Sequence, residues 1–118
     1  MTDPETKILL EDMLAHARAA SEFMEGLTLE EFCADRKSVF ATTRAVEVVG
    51  EAASQIAAPS RAVFASLPWR QSIDMRNRLI HGYRKLDPII LYKTVKEDFP
   101  FLIAELTRIL NESPTNGR

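Results

Sequence analysis

Apolar residues recur every three or four positions along most of the chain, the spacing that gathers them on one face of an α-helix. Leu9, Leu10, Met13, Leu14, Ala17, Ala20 and Met24 form the first such stripe. Thr2-Asp3-Pro4-Glu5 precedes it: a capping oxygen, a proline whose missing N–H costs little in a first turn, then an acid. A helix is therefore predicted from there to about Glu25, with Gly26 ending it. Thr28-Leu29-Glu30-Glu31 has the form of a capping box, in which hydroxyl and carboxylate each satisfy an orphan N–H, and predicts a short helix to about Asp35. From about Lys37 to Ala57, Val39, Ala41, Val46, Val48, Val49, Ala52, Ala53 and Ile56 make a broad apolar face. Arg44, Glu47, Glu51 and Gln55 align opposite it. Ala58-Pro59-Ser60 is expected to stop that helix, and Arg61 to Pro68 reads as a connector with a helical turn.

A fourth helix is predicted from Trp69 to about Gly82, and a fifth from Asp87-Pro88, again an acid capping a proline. Ile89, Ile90, Tyr92, Val95, Phe99, Phe101, Leu102, Leu106, Ile109 and Leu110 give the last helix its apolar surface, with a kink or restart expected at Pro100. No stretch alternates with period two. The fold class is all-α: a bundle of four to five helices in a single domain over residues 1–112, followed by a polar, frayed tail over 113–118.

The fourth helix breaks its own pattern. At about 100° per residue, Trp69, Ile73, Met75, Leu79, Ile80 and Tyr83 fall on one side, and Arg76 falls among them. Arg70, Asp74, Asn77, Arg78, His81 and Lys85 take the opposite arc. A guanidinium among apolar side chains calls for a buried anionic partner or a cleft that an anion visits. Glu51 is a candidate counter-ion, although a glutamate there also fits as a surface group paired with Arg44 or Gln55. Trp69 shares the apolar arc and reads as a core anchor.

Composition narrows the chemistry. The 118 residues carry 15 Lys and Arg against 17 Asp and Glu, so no global positive field marks a nucleic-acid binder. From Arg70 to Lys85, however, five cations face one aspartate, a local basic stretch. The single cysteine, Cys33, shares helical spacing with Leu29 and Phe32 and reads as a packing residue; it cannot form an internal disulfide. His16 sits at the edge of the first stripe without a ligand partner at metal spacing. No metal site or cofactor motif is found, no apolar run reaches the length of a membrane span, and no export signal opens the chain, so a cytoplasmic protein is expected.

Asn77 and His81 are one helical turn apart and can meet on one face, while Arg76 lies about 140° from His81 and can bend toward the same cleft. A histidine that exchanges protons near neutral pH, a cation for phosphate oxygens and an amide for positioning suffice for metal-free cleavage of RNA, in which a ribose 2′-OH attacks its own 3′ phosphate. A helix end bearing a solvated histidine accounts for the same spacing, so the residues alone leave both readings open.

Arg76-Asn77, three intervening residues, then His81-Gly82-Tyr83 resembles the RNxxxHxY signature of the HEPN superfamily, specifically the HepT-like ribonuclease toxins. Glu31-Phe32, Val49-Gly50-Glu51-Ala52, Leu67-Pro68-Trp69 and Asp98-Phe99-Pro100 resemble further recurrent stretches of that family in the same order, so the likeness spans roughly Lys7 to Leu110. The resemblance implies a HEPN-type bundle forming a two-fold homodimer whose motif helices line a shared cleft. It implies a metal-independent endoribonuclease acting as the toxin of a prokaryotic type VII-like toxin-antitoxin pair. Arg76 would stabilise phosphate charge, His81 act as general acid or base, and Asn77 help place them; apart from the resemblance, Glu51 and Arg78 are candidate supporting residues. A nucleotidyltransferase antitoxin would silence the toxin by moving AMP from ATP onto Tyr83. Two other readings use the same residues: a non-catalytic helical module that binds a nucleotide or holds a nucleotidyltransferase, and a structural dimer with Arg76 in an interfacial salt bridge.

Overall fold

The computed structural model describes residues 3–81 and 87–112, without the side chains of residues 80 and 81. Among these the chain forms six helices and no strand: α1 (Pro4–Met24), α2 (Leu29–Ala34), α3 (Arg36–Gln55), α4 (Ala58–Val63), α5 (Trp69–His81) and α6 (Pro88–Glu112).

The caps fall where the sequence places them. Asp3 accepts from the Thr6 N–H at 2.8 Å, and the Thr6 hydroxyl donates to the same carboxylate at 2.9 Å. Thr28 and Glu31 complete the reciprocal capping box at the start of α2. Asp87 accepts from the Ile89 N–H at 2.9 Å as α6 begins. Past the end of α1, Gly26 has φ of +80°, a conformation that other residues adopt only with strain.

Two expectations are corrected. Helix α3 does stop just before Ala58, at Gln55, but Ala58-Pro59-Ser60 opens α4 rather than a connector, with Pro59 in the first turn, where its missing N–H costs nothing. Helix α6 does not restart at Pro100: it runs unbroken through it. Leu91, Val95, Phe99, Leu102, Leu106 and Ile109 are buried on both sides of the proline, and Pro100 itself faces solvent. The continuous apolar stripe outweighs the roughly 3 kcal/mol that a helix-interior proline costs. The end of the motif helix at Gly82, Tyr83, Lys85 and the 113–118 tail lie outside the described residues.

Helix α1 packs against α3 and α6, α2 bridges α3 and α6, and α5 lies along α3. Leu10, Met13, Phe32, Val49, Ile56, Leu91, Leu102 and Leu106 are fully buried within one continuous apolar cluster. Tyr92 fixes α6 to the turn after α1 by donating its hydroxyl to the Leu27 carbonyl at 2.9 Å, and its ring lies 5.5 Å from that of Phe32. Trp69 packs on the core and donates its indole N–H to the Phe64 carbonyl at 3.0 Å, so α5 is anchored at its first residue. Cys33 is a free thiol packed on the same core.

Candidate active site

Helix α5 carries the motif residues, and its position is set by Gly50 of α3. A Cβ added at Gly50 would overlap the Cβ of Arg76 and stand 2.5 Å from the Ser72 carbonyl oxygen. A glycine inside a helix costs about 1 kcal/mol relative to alanine, and here it supplies the clearance that lets α5 pack directly on α3. Leu79 is buried at this seam, and Ile73, Met75 and Trp69 are partly buried against the core.

The same close approach immobilises the stem of Arg76. Its side chain is half-buried, Nη1 donates to Oδ1 of Asn77 at 2.9 Å, and Nε is buried without a hydrogen-bond partner among the described residues. A buried donor left unsatisfied costs on the order of 1–3 kcal/mol, and groups held at such a cost concentrate where function needs them. No carboxylate lies within ion-pairing distance of Arg76 among the described residues. The buried anionic partner anticipated for Arg76 is therefore not found there. Glu51 follows Gly50 and is half-buried, but the ion pair on this face is Arg44 with Glu47 at 3.5 Å.

The seam has two flanks. On one, α3, α5 and α6 enclose an apolar groove of about 110 Å³ lined by Val46, Val49, Ser72, Met75, Phe99 and Leu102, with Asp98 also at its edge. Asn77 lies about 100° around α5 from Arg76 and about 160° from Met75, which places it on the other flank. The Arg76 guanidinium is thus turned away from the groove, toward Asn77. Residue 81 is the last described residue of α5, one turn after Asn77; its side chain, like Tyr83, is outside the described residues. Arg70, Asp74 and Arg78 are exposed on the outer arc of α5. The structure thus joins Arg76 and Asn77 directly and places Glu51 next to the glycine that seats them. Arg78 makes no contact with that pair through a hydrogen bond or ion pair among the described residues.

Gly50 is the site residue that helical periodicity did not single out. A glycine in the middle of an otherwise good helix was the available signal. The Arg76 to Asn77 bond also escapes periodicity, because adjacent residues on a helix do not ordinarily face each other.

Chemically, the pair presents a cation with one N–H committed to an amide and, among the described residues, no carboxylate neutralising it, a suitable receptor for a phosphate oxygen. Among the described residues no three His, Cys, Asp or Glu side chains converge as metal ligands, and no helix is long and apolar enough to cross a membrane.

A family model described as Ribonuclease HepT-like matches residues 13–109. The chain is 37% identical over 103 residues to the probable ribonuclease HepT of Thermococcus cleftensis, covering 87% of this chain and 94% of that protein. It is 36% identical over 106 residues to a protein of Methanocaldococcus jannaschii bearing an RNase name, covering 90% and 97%. A further RNase-named protein, from Caldanaerobacter subterraneus, is 28% identical over 103 residues, covering 87% and 92%. No solved structure matches the chain. The seam that seats Arg76 and Asn77 lies wholly inside the matched region, and the chain belongs to the HepT-like ribonuclease family.

Proposed function

We propose that this chain is a metal-independent endoribonuclease. The observation that carries the reading is Arg76: a guanidinium held at a tight helix seam, its Nε buried and unpartnered and no carboxylate beside it among the described residues, on the helix that carries His81. Family membership supports the same activity, since the relatives in T. cleftensis and M. jannaschii carry ribonuclease names.

In this reading the ribose 2′-OH of the substrate attacks the adjacent phosphorus while His81 takes its proton, the 5′ oxygen leaves with a returned proton, and a 2′,3′-cyclic phosphate results. Arg76 neutralises charge building on the non-bridging oxygens. Asn77 holds Arg76 through the 2.9 Å bond and limits its rotamers. Glu51 and Arg78 act as supporting groups. The active form is a two-fold dimer in which two motif helices face one cleft.

The same reading makes this chain the toxin of a type VII-like pair, silenced when a nucleotidyltransferase antitoxin adds AMP to Tyr83. The added phosphate would bring negative charge and bulk beside the basic stretch and exclude the RNA phosphate.

The test is cleavage of a defined RNA by wild type, Arg76→Ala, Arg76→Lys and His81→Ala, each checked for native helicity. The expectation is loss of cleavage by about 10²-fold or more in both alanine variants, with partial recovery in Arg76→Lys. RNA binding retained by a wild type that never cleaves would favour the non-catalytic module, and full activity in His81→Ala would refute the mechanism.

A further inference from the structure

We propose that the exposed face of α3 carrying Arg36, Phe40 and Arg44 is a binding platform for single-stranded RNA, with Phe40 as a base-stacking surface. The identity of its ligand rests on the ribonuclease reading above.

Four observations carry the proposal. Phe40 is 62% exposed in the middle of a regular helix turn, although burying such a ring would stabilise the fold by about 1.5–3 kcal/mol. The Arg36 guanidinium lies over that ring, 5.6 Å from its centroid, so cation and aromatic form one surface. Lys37 and Arg44 are exposed beside it, and no acid interrupts the helix between Arg36 and Val46. Finally, the platform is on the same flank of the α3–α5 seam as Asn77. The groove takes the flank of Val46 and Val49, which lie on the opposite side of α3 from Phe40 and Arg44 by the 100° wheel. Arg44 and Phe40 precede Gly50 by six and ten residues, about 9 and 15 Å along the axis, a span that a few nucleotides cover.

Aromatic rings stack any base, and neighbouring cations track the backbone, the combination by which single strands are held without sequence readout. Three cations alone would suit RNA or an acidic protein surface; the exposed ring beside them selects RNA. The acids on this flank are Glu47, 3.5 Å from Arg44, and the half-buried Glu51. Glu47 lies between Arg44 and Gly50 and Glu51 just beyond Gly50, so the acids are confined to the end of the platform nearer Arg76.

The experiment measures binding of a fluorescent oligouridylate and an oligoadenylate by anisotropy, in a His81→Ala background that leaves the strand intact. Phe40→Ala is expected to weaken binding of both by about 5- to 100-fold. Phe40→Trp should restore it, whereas Phe40→Leu, equally apolar but without a π-face, should not. Arg36→Ala and Arg44→Ala should each lower the slope of log Kd against log salt by about 0.7. Wild-type affinity in Phe40→Ala, or in Phe40→Leu, overturns the platform. So does a change of sedimentation in Phe40→Ala, which would mark the face as a contact with a second copy. Cleavage by the parent protein is scored separately: RNA bound through Phe40 but never cut fells the ribonuclease reading and leaves the platform standing. RNA cut normally with binding indifferent to Phe40 does the reverse.

Discussion

Replacing Gly50 with alanine sets two opposed effects against each other. Alanine is favoured over glycine in a helix interior by about 1 kcal/mol, so at an open position the change would stabilise. At this seam the new methyl meets the Arg76 Cβ and, at 2.5 Å, the Ser72 carbonyl oxygen. Neither atom can rotate away, because one is fixed to the backbone and the other belongs to it. Relief requires α5 to move by about 1 Å to reach ordinary van der Waals separation. Overpacking of this kind costs about 1–3 kcal/mol, and here the rigid partners argue for the upper end, leaving a net loss of about 1–2 kcal/mol. Urea unfolding reads this as a midpoint lower by about 1 M at unchanged slope. A displacement of that size at Arg76 should lower RNA cleavage by about 10²-fold, a larger effect than the stability loss alone would produce. If Gly50→Ala is more stable than wild type and cleaves RNA normally, the seam does not seat Arg76 as argued.

Three further outcomes follow from the same geometry. Thr28→Ala removes one half of the capping box and should cost about 1 kcal/mol in urea unfolding; no change would mean the box is not formed in solution. Pro100→Ala restores an N–H to the middle of α6 at an exposed position and should stabilise by about 1–3 kcal/mol, whereas a loss would show that the proline ring is needed for packing. The Glu105 carboxyl is held down at about 2, first by Arg108 and then by the Ser66 hydroxyl. Since its folded pKa lies below its unfolded value, the associated stability is present above about pH 4.5 and is lost as pH falls toward 2. Glu105→Gln should therefore flatten the decline in melting temperature across that window, and an unchanged acid limb would exclude Glu105 as a contributor.

The all-α class and most helix boundaries could be read from local chemistry, because caps and apolar stripes act over a few residues. Thr28 with Glu31 and Asp87 with Pro88 are instances where motif and structure coincide. Helix α4 was missed because six residues are too few to show a period, and Pro59 supports either a stop or a start. At Pro100 the restart does not occur, because packing of Phe99 and Leu102 on either side carries the helix through, and that packing is tertiary. At the site, the anomaly of Arg76 among apolar neighbours was legible. What surrounds it was not, since the clearance at Gly50 depends on a helix distant in sequence and the Asn77 bond on a side-chain rotamer. Helical spacing alone set His81 beside Asn77, while the motif pattern supplied a role for His81 and for Tyr83.

The most direct test of the central claim is the chemistry of the cut ends. Wild-type protein is incubated with a single-stranded RNA in excess EDTA, and the fragments are identified by mass spectrometry. The account predicts undiminished cleavage leaving 2′,3′-cyclic phosphate and 5′-hydroxyl termini, with neither formed by His81→Ala. Cleavage abolished by EDTA, or fragments ending in 3′-hydroxyl and 5′-phosphate, would contradict it.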